Sequence, residues 1–115
     1  MIVVIIIDAH TFIPEAREGI VKYGFDIESE KIVFEANKFY VIISFIRNTN
    51  CRKYSKDEIQ FGVNLYKDPL FEEYKKQELI SYKKLLDDLK EKPECKDKYN
   101  ETQKLIRRLN EYGQN

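Results

Sequence analysis

The sequence predicts an α+β fold: an N-terminal, mostly antiparallel sheet of three to four strands, followed by two to three C-terminal helices packing on it, the last two as a helical hairpin. Three observations lead there. Residues 2–7 are six consecutive β-branched apolar residues, the residue type that suits a pleated surface. The composition changes near residue 47, from β-branched and aromatic residues to Lys, Glu, Leu and Tyr at helical spacing. Strand formers and helix formers therefore occupy separate runs, the α+β pattern rather than an alternating one. At 115 residues the chain is expected to be one domain, 1–115, with a sheet-rich part over 1–46 and a helical part over 55–113.

Ile2–Ile7 carries no polar residue on either face, so it is expected to be a central strand or one buried on both sides. Asp8 ends it. Residues 14–27 support two readings. Pro14 and Gly24 suit the two ends of a short helix. Val21, Tyr23, Phe25 and Ile27 alternate with polar or small residues, and Gly19 weakens a helix interior. The favoured reading is a strand over about 19–27, preceded by one helical turn. Two further strands are expected over 31–35 and 39–46, joined by a turn at 36–38 in which Asn37 tolerates positive φ. The second of them is apolar at nearly every position and should be central.

Ser55 and Glu58 form a capping box that opens a helix carrying Ile59, Val63 and Tyr66. Asp68 and Pro69 restart the chain as a second helix to about Lys92, striped by Phe71, Tyr74, Tyr82, Leu85, Leu86 and Leu89. Pro93 breaks it. A third helix follows, with Tyr99, Leu105, Ile106, Leu109 and Tyr112 on one side and Gly113 beyond its end.

Lys plus Arg equals Asp plus Glu, 20 of each, so no overall positive field draws in nucleic acid or anionic lipid. The apolar run at the start is too short for a membrane span and has no basic segment before it, so no leader is expected and the expected location is cytoplasmic. Cys51 and Cys95 stand apart with no CxxC, which leaves too few soft ligands for zinc. The sequence contains no GxGxxG, P-loop, GxSxG or HExxH, and only four glycines. No cofactor and no metal is expected.

Three groups of residues are candidates for function. Asp8 and His10, the only histidine, stand where a strand end often places an acid or a metal ligand. With no further acids identifiable they are weak catalytic candidates, and the simpler role for Asp8 is to end the strand. Arg47, Arg52, Lys53, Tyr54 and Lys56 form the densest basic stretch and run into a helix start, a pattern that suits phosphate or nucleic-acid binding. Cys51 lies among these cations, which favours its thiolate. Tyr66, Tyr74, Tyr82 and Tyr99 place amphipathic rings on the helical part, suited to a partner surface.

These features predict a small non-enzymatic interaction protein, acting through its tyrosine-rich helical face or its sheet edge. Another protein is the expected partner, with a homo-oligomer possible. Its size and composition are those of many phage or mobile-element proteins. The alternative is a nucleic-acid binder or small metal-dependent nuclease using the basic loop 47–56 and Asp8.

Overall fold

The computed structural model describes residues 2–8, 12–47 and 52–114. The element order is β1 (Ile2–Asp8), α1 (Ile13–Lys22), β2 (Phe25–Glu35), β3 (Lys38–Arg47), α2 (Lys56–Phe61), α3 (Phe71–Lys90) and α4 (Lys96–Glu111). Single 3-10 turns at Leu65–Lys67 and Pro93–Cys95 precede α3 and α4. The chain forms two compact units, Met1–Phe71 and Glu72–Asn115. The composition change near residue 47 is therefore not the boundary between them: α2 and the first 3-10 turn belong with the sheet.

In the first unit the sheet order is β1-β3-β2, with both outer strands antiparallel to β3. β1 and β2 consequently run parallel to each other, linked across β3 by α1. β3 is central, as its apolar sequence predicts, with Val41 and Ile43 fully buried and Phe45 8% exposed. The β2–β3 turn puts Ala36 at φ 51° and Asn37 at φ 64°, the two positive values of a tight hairpin turn whose twist matches the strands.

β1 differs from its expected central place: it is an edge strand of the described sheet. Ile2, Val4 and Ile6 are 58%, 52% and 68% exposed. An apolar run fixes a strand's β-branched content but not how many neighbours it has.

Residues 13–22 are helix, not strand. Ile13, Arg17 and Ile20 are the buried residues of α1, the i, i+4, i+7 spacing of one helical face. That stripe passes through an arginine, so it is invisible to a reading that counts only apolar residues. The period-two pattern belongs to β2, and there a bulge between Ile27 and Ser29 shifts its phase. Ile27 faces inward opposite Phe45, Glu28 is the extra residue, and Glu30 and Ile32 then face inward opposite Ile43 and Val41. Without the bulge Glu30 would point to the other face.

Glu30 is thereby brought to Arg17. The guanidinium donates to both carboxylate oxygens, at 2.8 Å from Nη2 to Oε1 and 3.0 Å from Nε to Oε2. Nη1 donates to the carbonyls of Ile59 (3.0 Å) and Gln60 (3.1 Å), which α2 leaves open near its C-terminus. Glu30 Oε2 accepts the Val63 amide at 2.9 Å. Gly62 lies in the middle of this cluster at φ 122°, where a Cβ would come within 2.7 Å of Leu65 Cβ and 3.2 Å of Arg17 Nη2.

Asp68 holds the outer edge of β2. Its Oδ2 accepts the Ile32 amide and its Oδ1 the Leu70 amide, both at 2.9 Å. The capping box of α2 is formed as expected, Ser55 Oγ accepting the Glu58 amide and Glu58 Oε1 the Ser55 amide.

In the second unit α3 and α4 form the expected hairpin around Pro93. Tyr74, Thr102, Leu109 and Tyr112 are buried. Among the described residues no helix is long and apolar enough to cross a membrane.

Candidate nucleic-acid interface

The described part of the basic loop starts at Arg52 and meets the C-terminal half of α1. Glu18, Val21 and Lys22 project from α1 at helical spacing and, with Arg52, Lys53, Tyr54 and Ile59, line an open cleft of about 510 Å³. Three cations and one carboxylate border it. A strand over 19–27 would not bring Lys22 to this cleft; as the last residue of α1 it stands one turn from Glu18 on the same helix face.

The basic residues are not equally available. Arg52 donates to Glu58 Oε2 at 2.7 Å and stands 4.7 Å from the centre of the Tyr54 ring. The pair is exposed, so it holds Arg52 only weakly. Lys53 and Lys56 are exposed. Arg47 lies over the Phe25 ring at 5.5 Å, at the far end of β3.

Tyr54 has a structural task. Its hydroxyl accepts the Ile27 amide at 3.0 Å, beside the β2 bulge, and donates to Asp26 Oδ1 at 3.2 Å. Burial pushes this hydroxyl above its ordinary pKa, and the neighbouring Asp26 carboxylate adds to the rise. The ring fixes the loop against β2, which in turn fixes Arg52 and Lys53.

A second basic cleft lies at the bend of the hairpin. Leu89, Pro93 and the Tyr99 ring give it apolar walls, and Lys90, Lys92, Lys96 and Asn100 complete a space of about 410 Å³. Sequence reading missed it because its lysines are spaced as an ordinary solvated helix surface; they converge only because Pro93 turns the chain.

The other predicted sites fare differently. Asp8 ends β1 opposite Tyr40. Among the described residues there is no group of three or more His, Cys, Asp or Glu able to hold a metal ion. His10 and Cys51 lie outside the described residues. The four tyrosines do not share one unit: Tyr66 belongs to the first, where its hydroxyl donates to Asn64 Oδ1 at 3.3 Å, and Tyr74, Tyr82 and Tyr99 to the second. Tyr74 is 8% exposed, so it is a packing residue rather than part of a surface. Its apolar ring outweighs its polar tip at that position.

Residues 4–111 match the family described as TrmK: tRNA (adenine(22)-N(1))-methyltransferase. Solved structures agree in fold. The M. capricolum TrmK in complex with S-adenosyl-homocysteine is 24% identical, with a TM-score of 0.73 over 95% of this chain and 48% of that one. An uncharacterised Listeria monocytogenes protein is 20% identical, with a TM-score of 0.76 over 94% and 50%. The B. subtilis M1A22 tRNA methyltransferase TrmK is 18% identical, with a TM-score of 0.68 over 94% and 50%. The chain thus spans about half the length of the structures it matches. No curated protein matches it in sequence.

The expectation of a non-enzymatic interaction protein of phage or mobile-element type is overturned by this match, and the metal-dependent nuclease with it. The family is one of enzymes that modify tRNA, and no short motif in these residues carried that signal. The chain belongs to the TrmK family, tRNA (adenine(22)-N(1))-methyltransferase.

Proposed function

We propose that this chain supplies the RNA-gripping half of a tRNA adenine-N1 methyltransferase. The observation that carries this is the family match over residues 4–111. The two lysine-bordered clefts support it. Lys22, Arg52 and Lys53 in one, and Lys90, Lys92 and Lys96 in the other, engage tRNA phosphates. Arg52 gives up only an exposed ion pair to do so. Tyr99 offers an apolar ring beside the hairpin lysines for an unpaired base.

The family's methyl donor belongs elsewhere. The M. capricolum relative holds S-adenosyl-homocysteine, which is what S-adenosylmethionine becomes on losing its methyl group. The described residues do not fit that nucleoside. Gly62 is packed against Leu65 and Arg17, so the space a glycine cradle would leave for a ligand is filled by the protein itself. Gly24 and Gly113 end helices at positive φ, and Gly19 lies within α1. Each cleft is bordered by three cations, which repel the sulfonium of the donor.

The test is titration of the chain with an unmodified tRNA transcript bearing adenine at position 22, followed by fluorescence anisotropy at several salt concentrations. Arg52→Ala with Lys53→Ala is expected to weaken binding about tenfold or more and to lower the slope of log affinity against log salt by about 2. Binding that is absent at low salt, or unchanged by this pair, eliminates the reading.

A further inference from the structure

The cleft at the bend of the hairpin has two kinds of wall. Leu89, Pro93 and the Tyr99 ring are apolar, and Lys90, Lys92 and Lys96 are cations. Residues 87–97 also carry five acids, Asp87, Asp88, Glu91, Glu94 and Asp97, yet none of these five lines the cleft. All three lysines are exposed, and among the described residues no ion pair holds them. The lining therefore suits an occupant that joins negative charge to an apolar body. A phosphate alone needs no apolar wall, and an apolar side chain of a protein partner needs no lysines. A nucleotide supplies both parts: its base stacks on an aromatic ring and its phosphates meet cations.

The cleft of the first unit differs on each count. Glu18 borders it. The Tyr54 hydroxyl is used by Ile27 and Asp26, and Arg52 stands 4.7 Å from the centre of its ring. That cleft suits phosphates, whereas the hairpin cleft also suits a base. Its walls are largely set in advance: proline fixes φ at Pro93, and Gln103, one turn along α4, donates to the Tyr99 hydroxyl at 3.5 Å. Little side-chain ordering is then lost on binding. A base within a duplex has both faces stacked and its edge paired, so it cannot enter. We infer that the hairpin bend is a single-nucleotide pocket that selects an unpaired nucleotide over a paired one. The base packs on Tyr99 between Leu89 and Pro93, the Asn100 amide meets its edge, and Lys90, Lys92 and Lys96 hold the flanking phosphates. The inference rests on the reading of the chain as RNA-gripping. It adds which part of the RNA this cleft takes, a nucleotide of a loop or bulge rather than of a stem.

The experiment titrates the intact chain with short oligo-adenylate, and separately with the same strand annealed to oligo-uridylate, at one low salt concentration. Tyr99→Ala is expected to weaken single-strand binding about tenfold and to leave duplex binding within about twofold, because stacking on one ring serves an unpaired base alone. Asn100→Ala, at an exposed helix position that does not test folding, should weaken the single strand severalfold and spare the duplex. Lys92→Ala with Lys96→Ala should weaken single-strand binding and lower its salt slope by about 1–2. In the unaltered protein, NMR should show Tyr99 ring protons close to base protons of the oligo-adenylate, a readout that needs no variant. Equal losses for single strand and duplex overturn the inference, as does a Tyr99 ring that meets no base proton when the single strand is bound. The tRNA titration with Arg52→Ala and Lys53→Ala is read separately. A tRNA signal sensitive to that pair, with Tyr99 silent, counts against this inference only. Tyr99 contact with the single strand, without any tRNA signal, counts against the RNA-gripping reading only.

Discussion

Arg17 and Glu30 meet as a bidentate pair closed from solvent, their side chains 1% and 0% exposed. Each also closes backbone groups of the 59–63 segment, so three elements converge on one pair of charges. The position of the loop that carries Lys53 follows from this, since α2 starts three residues later and is held at its other end by Arg17.

Removing one member strands a buried charge. Arg17→Met is expected to destabilise the chain by about 3–5 kcal/mol, and Arg17→Met with Glu30→Leu by clearly less, because no unpaired charge is left. Arg17→Lys should behave more like the single loss, because an ammonium cannot reproduce the fork that grips one carboxylate and two carbonyls. Urea unfolding followed by circular dichroism checks the order. A single variant no worse than the double would show that the pair is not what holds α1 to β2.

The site was only partly legible in the sequence, and the reason is local. The capping box at Ser55 and Glu58 and the turn at Asn37 depend on side chains within four positions of one another, so they could be read directly. Arg17 and Glu30 are separated by 13 positions and by a bulge that reverses the facing of β2. Neither charge looks interior without knowledge of the other. Lys22 and the hairpin lysines were missed for a related reason: chain direction, set by α1 and by Pro93, makes them converge. The methyltransferase family was not legible at all, since no motif in this half of the length carries it.

Asp68 is expected to matter more than its partly exposed position suggests, because one carboxylate serves both the outer edge of β2 and the entry to α3. Asp68→Ala leaves two amides without their acceptor and should cost about 1–3 kcal/mol. Asp68→Asn, which keeps one acceptor oxygen, should lose less. Chemical denaturation, with amide exchange at Ile32 as the local readout, distinguishes loss of the strand contact from a general loss of stability.

The hairpin turn is open to improvement. Ala36 sits at φ 51°, a region that costs a residue with a Cβ about 1 kcal/mol. Ala36→Asn with Asn37→Gly installs the preferred pair for two positive φ values and should stabilise the chain by about 0.5–1 kcal/mol. Thermal unfolding would register this as a rise of a few degrees. A fall would mean that the turn uses its present residues for something beyond connection.

Glu78 gives the second unit a pH dependence of definite sign. It lies on α3 between Tyr74 and Tyr82, four residues from each, within the stripe the helix buries. Burial pushes its carboxyl up to about 7 from an ordinary 4.5. The folded state therefore favours the protonated acid. Its contribution is fully present below about pH 4.5, declines as the pH rises towards 7, and is lost above that. A shift of this size corresponds to a penalty on the order of 3 kcal/mol once the group is ionised. Glu78→Gln keeps the shape without the charge, so it should raise Tm by several degrees at pH 8.5 and leave it nearly unchanged at pH 4.5. Thermal melts of both proteins across that interval supply the comparison. Equal gains at both pH values would place the benefit in packing rather than in charge, and the assignment of the titration to Glu78 would fall.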